Sequence, residues 1–101
     1  MNEKIQIEEK GQTIRIKFMD QILDGNSAEL REVLNSTLEK SVNEVFLDLE
    51  KVVIVSSLGI SRLLSFKNKA DEKRMTVKIV NIQDKLKETL KKLMLDQFFG
   101  L

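Results

Sequence analysis

The sequence predicts one α/β domain: a small mixed β-sheet of about four to five strands, with helices packed mainly on one face. Three observations predict it. Apolar residues alternate with polar ones near the N-terminus, around residue 46 and around residue 78, the pattern of half-buried strands. Stretches with apolar residues at helical spacing run between them, so strand, helix and strand succeed one another twice. A chain of 101 residues has room for one core, which makes residues 1–101 a single domain with an expected radius of gyration of about 13 Å.

The segment from Lys4 to Glu8 puts Ile5 and Ile7 on one face, and Thr13 to Phe18 does the same with Ile14, Ile16 and Phe18. Glu9-Lys10-Gly11-Gln12 is short enough to join these two half-buried strands as an antiparallel hairpin. Asn26-Ser27-Ala28-Glu29 reads as a helix start, with the Asn26 side chain accepting from first-turn amides and Glu29 reaching back as in a capping box. Leu30, Val33, Leu34, Thr37 and Leu38 follow as the buried stripe of that helix. Val45, Leu47 and Leu49 then share one face of a strand with Phe46 on the other, and a strand reached through a helix is expected to pair in parallel.

Val52-Val53-Ile54-Val55 is strongly β-prone, but Glu50-Lys51 separates it from that strand, so it reads as a buried approach segment. Ser56 or Ser57 caps the next helix, which carries Ile60, Leu63, Leu64 and Lys67 down one face and Phe66 and Ala70 down its flank. It ends near Asp71-Glu72-Lys73-Arg74. Met75 to Val80 alternates again through Val77 and Ile79, and Asn81 is a candidate cap for a last helix that buries Leu86, Leu90 and Leu93. The apolar tail of Leu95, Phe98, Phe99 and Leu101 either folds back on the sheet or docks on a partner, a second copy included, which leaves a homodimer open.

Composition removes whole classes of function. Without Cys or His there is no disulfide, no thiolate nucleophile, no imidazole base and no ordinary zinc site, so Ser-His-Asp and Cys-His catalysis are excluded. An enzyme would have to work with Asp, Glu or Lys alone, and no carboxylate pair at a Gly-rich cleft is visible, so the expectation is a non-enzyme without cofactors. Glycine stands only at positions 11, 25, 59 and 100, which excludes both the dinucleotide fingerprint and the P-loop. Asp20, Asp24 and Asn26 miss the alternate-residue spacing and closing Glu of a calcium loop, so no metal is expected. Net charge is +1, and although the segment from Asp84 to Lys92 is rich in Lys, no Trp or Tyr accompanies it to stack bases, so no nucleic-acid partner is expected. Asn35-Ser36-Thr37 matches a glycosylation acceptor, but it falls within a helix. The charged N-terminal stretch from Met1 to Lys10 has no apolar run for a signal peptide or a span, so a cytoplasmic protein without membrane insertion is expected.

One segment carries a family resemblance. Phe46-Leu47-Asp48-Leu49, the apolar approach to Val55, and Ser56-Ser57-Leu58-Gly59-Ile60 resemble the signature of the STAS family, the anti-sigma factor antagonists and the related domains of sulfate transporters. There, Leu-Asp-Leu leads to Asp-Ser-Ser-Gly-Leu-Gly at a helix N-terminus. The order of elements fits, and Leu86, Leu90, Leu93, Leu95, Asp96 and Phe98 resemble the family's ending, so the resemblance covers nearly the whole chain.

Aligned without gaps, the family's Asp falls on Ser56, its first Ser on Ser57, its phosphoacceptor on Leu58, and its Gly, Leu and last Gly on Gly59, Ile60 and Ser61. A rival alignment restores Ser57 as a candidate phosphoacceptor but needs two compensating indels within a dozen residues. The resemblance implies a regulatory protein-binding module for transcription signalling. Its partner would be an anti-sigma factor or a sensor kinase-like protein, met through Val55, Ser56, Ser57, Leu58, Gly59, Ile60 and Ser61. In the family, phosphorylation adds about −1.5 to −2 charges at this contact and ends binding. Leu58 in that place implies an apolar knob without the usual switch, provided its side chain is not buried in the core. The alternative is an accessory subunit of a membrane transport complex on its cytoplasmic side, with transporter subunits as partners.

Overall fold

The structure, a computed structural model, describes residues 4–101. Strands β1 (Ile5–Lys10) and β2 (Thr13–Phe18) form the expected antiparallel hairpin, and both continue up to a two-residue turn. Gly11 opens that turn at φ 60°, a left-handed conformation that a residue without a Cβ adopts at no steric cost.

Next come β3 (Ile22–Leu23), helix α1 (Ala28–Leu38), β4 (Glu44–Asp48), β5 (Ile54–Val55), α2 (Ser57–Glu72), β6 (Thr76–Val80) and α3 (Asp84–Lys92). The main sheet runs β1-β2-β4-β6, with β2, β4 and β6 mutually parallel, so it is mixed as expected. Cα atoms spread with a radius of gyration of 12.6 Å. Among the described residues, no helix is long and apolar enough to cross a membrane.

One face of the sheet carries the core. Ile14 and Ile16 of β2, Val45 and Leu47 of β4, and Val77 and Ile79 of β6 are buried there together with Leu30 and Leu34 of α1, Leu63 and Phe66 of α2, and Leu86 and Leu90 of α3. At roughly 1.5–3 kcal/mol for each large apolar side chain, this burial is the main term favouring the fold. The opposite face is polar, with Arg15 and Lys78 exposed. It holds one buried charge. Asp48 accepts from Arg15 Nε at 3.2 Å, from Asn81 Nδ2 at 3.2 Å and from the Glu50 amide at 3.1 Å.

Several expectations need correction. β1 is not half-buried: Ile7 is 49% exposed although its register partner Ile16 is fully buried, because the covering layer stops over β2. Ser27, not Asn26, caps α1, its Oγ accepting from the Leu30 amide at 3.2 Å; this puts Leu30 rather than Glu29 at the position a capping box requires. Ile54 and Val55 are not merely an approach segment, since they pair in parallel with Ile22 and Leu23 as a separate two-stranded sheet. The buried face of α2 is Gly59, Leu63, Phe66 and Ala70, while Ile60, Leu64 and Lys67 are half-buried at its margin.

Asn81 does not cap α3. It stands at φ 54° with its amide spent on Asp48, and the cap position falls to Gln83, which makes no side-chain capping bond. Leu93 is 50% exposed because α3 has ended: the Met94 amide returns to the Lys91 carbonyl and the Leu95 amide to the Leu90 carbonyl, a Schellman closure with Met94 at φ 61°. Of the two fates open to the tail, Phe99 takes the first. It is 1% exposed at the end of a 3₁₀ turn, Gln97–Phe99, whose flank lies along β6.

Candidate partner-binding site

The site grows from the junction of β5 and α2. The Val53 and Ile54 amides both donate to the Gln21 carbonyl, at 2.7 and 3.1 Å, and the Ser56 amide donates to the Leu23 carbonyl at 3.0 Å. These bonds fix the chain on its way into the helix. Ser56 is extended, at φ −66° and ψ 160°, and its Oγ accepts from the Gly59 amide at 2.9 Å and from the Gly25 amide at 3.1 Å. One hydroxyl therefore caps α2 and holds the loop before α1 against it. Of the two serines offered as caps, Ser56 is the one; Ser57 is the first helical residue and is exposed.

Two glycines permit the close approach. A Cβ on Gly25 would lie 2.4 Å from the Leu58 carbonyl carbon, and one on Gly59 would lie 2.7 Å from the Leu23 oxygen. No side chain fits at either place without moving backbone. Arg62 Nε adds a bond to the Gly25 carbonyl at 3.3 Å.

This rigid frame displays apolar side chains to water. Ile22 and Ile54, opposite each other in the β3–β5 register, are 57% and 56% exposed, with Val53 at 41% and Leu58 at 38%. Leu58 is thus neither in the core nor free on all sides: its Cγ lies beside Gly25 and about two-fifths of the residue is open to water. Of the other residues singled out in sequence, Ser57 and Ser61 are exposed, Val55, Ser56 and Ile60 half-buried, and Gly59 buried. Gly25, Ile22 and Arg62 were not legible as parts of the site, because the contacts that recruit them join segments distant in sequence. Asp24 serves the same loop, its Oδ1 accepting from the Asn26 amide at 3.0 Å, and Asp20 lies 3.9 Å from Lys4 Nζ.

One family model, that of the STAS domain, matches residues 4–101. The chain belongs to the STAS domain family. Solved structures similar to this STAS domain include the anti-sigma factor antagonist SpoIIAA in its unphosphorylated form, at 16% identity and a TM-score of 0.76 over 92% of this chain and 83% of that one. Phosphorylated SpoIIAA, the Bacillus cell fate determinant, gives 14% and 0.72 over 94% and 86%. A sulfate transporter family protein from Wolinella succinogenes gives 12% and 0.71 over 88% and 72%. At such identities the likeness is one of fold. No curated protein sequence matches the chain. In this STAS domain the position that the gapless alignment gives to the family's Asp is the N-cap of α2, where Ser and Asp are both strong acceptors.

Proposed function

We propose that this STAS domain is a non-catalytic regulatory module of transcription signalling in the cytoplasm, resembling an anti-sigma factor antagonist. It binds an anti-sigma factor or sensor kinase-like protein through residues 55–61, extended by the neighbouring Ile22, Val53 and Ile54. The observation that carries the reading is the apolar cluster of Ile22, Val53, Ile54 and Leu58, exposed on a backbone that hydrogen bonds hold in place. A preformed apolar surface of this kind binds with little ordering cost. Leu58 is its anchor, worth about 2 kcal/mol when a partner covers it. Lacking a hydroxyl, it also leaves the contact without the family's usual phospho-switch. Ser57, exposed one residue earlier, is the nearest group a kinase could modify.

Capture of partners from lysate by the wild type and by Leu58→Asp, with titration of the captured protein, tests this. A carboxylate at the second helical residue suits the positive end of the helix dipole, so the variant keeps its fold. Affinity is expected to fall about thirtyfold or more. Unchanged affinity would refute the site. The likeness to a sulfate transporter family protein favours a second reading, an accessory subunit of a membrane transport complex. Recovery of transporter subunits in place of a kinase-like protein decides for it.

A further inference from the structure

We propose that β1 is a self-pairing edge through which two copies of this domain form one continuous sheet, independently of the site on α2. The main sheet has two edges, and the chain treats them differently. The β6 edge is flanked by the C-terminal 3₁₀ turn, whose Gly100 lies against the Lys78 side chain. Among the described residues, no strand pairs with the outer side of β1. Exposed backbone of this kind invites another strand.

The hairpin fixes which groups are free. Lys10 and Thr13 flank the two-residue turn and exchange hydrogen bonds, and inward bonding recurs at every second residue, at Glu8, at Gln6 and at Lys4, whose carbonyl accepts from the Met19 amide at 2.8 Å. Ile5, Ile7 and Glu9 therefore turn their amides and carbonyls outward. The same alternation puts the side chains of Ile5 and Ile7 on the helix side of the sheet and those of Lys4, Gln6 and Glu8 on the polar side.

Side-chain chemistry then selects a register. A two-fold axis through Gln6 sets Ile5 opposite Ile7 of the second copy and Lys4 opposite Glu8 of the second copy, each pair occurring twice. Ile5 and Ile7 are also the residues with free backbone groups, so each apolar pair exchanges both ladder bonds. Ile7, 49% exposed in the monomer, gains an apolar neighbour. Moving the axis to Ile7 would set Lys4 against Lys10 and Ile5 against Glu9, twice each, and like charges directly opposite oppose pairing. The charges on β1 thus favour the axis through Gln6 over the one through Ile7.

Sedimentation equilibrium from about 10 µM to 1 mM, the range in which a small interface associates, reads the outcome. The expected result is a mass rising towards the dimer for the wild type and a monomer throughout for Ile7→Lys, with circular dichroism and melting temperature unchanged. Lys4→Glu should weaken the dimer at least tenfold, and adding Glu8→Lys to it should restore the wild-type constant. A wild type that stays monomeric, a dimer indifferent to Ile7→Lys, or a dimer tightened by Lys4→Glu, which would then face Lys10, each overturns the proposal.

Discussion

Two short apolar segments leave the sheet and meet opposite fates. Residues 53–58 keep Val53, Ile54 and Leu58 at the surface, while residues 95–101 turn Phe99 inward to 1% exposure and lay Phe98 on it edge to face, ring centroids 5.3 Å apart. Lys67 Nζ stands 5.3 Å from the centroid of the Phe98 ring. Composition does not separate the two segments; backbone bonding does. The Val53, Ile54 and Ser56 amides are held by the Gln21 and Leu23 carbonyls at and just before β3, which keeps Val53 and Ile54 outward. The tail has no such ladder and follows its most apolar residue.

Variants can break this contrast from either side. Phe99→Ala should cost about 3–5 kcal/mol, as for a large aromatic lost from a core. Urea denaturation checks it, and partner affinity per folded molecule should stay as in the wild type. Gly25→Ala is next: its Cβ would meet the Leu58 backbone, and the shift that relieves the clash should cost about 1–3 kcal/mol. Calorimetric titration should show weaker partner binding as well, since Leu58 moves with the clash; full affinity would mean that the frame does not set the surface. Ser56→Ala removes an acceptor shared by two amides and should cost about 1 kcal/mol, while Ser56→Asp should recover most of it. Melting curves of the pair test whether capping is the role of Ser56.

The regular elements were legible because their periods are. β2, β4 and β6 bury the residues that alternation assigns to them, from Ile14 to Val45 and Val77, and α1 buries its stripe except for Val33, which is half-buried. α2 was legible as a helix but not in its phase: hydropathy favours Ile60 and Leu64 over Gly59, whereas packing selects the glycine where β3 comes close. β3 was missed because two residues carry no period, and its partner lies over thirty residues away. The N-terminus of α2 was found as a place, through the Ser56 to Ile60 resemblance. Its apolar rim was not, because Ile22 joins it only through the small sheet.

The buried Asp48 bears on how the chain reaches this state. Its two side-chain partners, Arg15 and Asn81, each lie 33 residues away, one before it and one after, and each belongs to a different crossover between parallel strands. A chain with one crossover closed supplies only one of the carboxylate's two side-chain partners. The contact is therefore complete only when both crossovers are, and such distant closures are the slow part of assembling a parallel sheet. Asp48 acts as a latch that rewards the finished topology over either half, which couples the place of β6, and with it the end of α2, to the docking of β2 on β4.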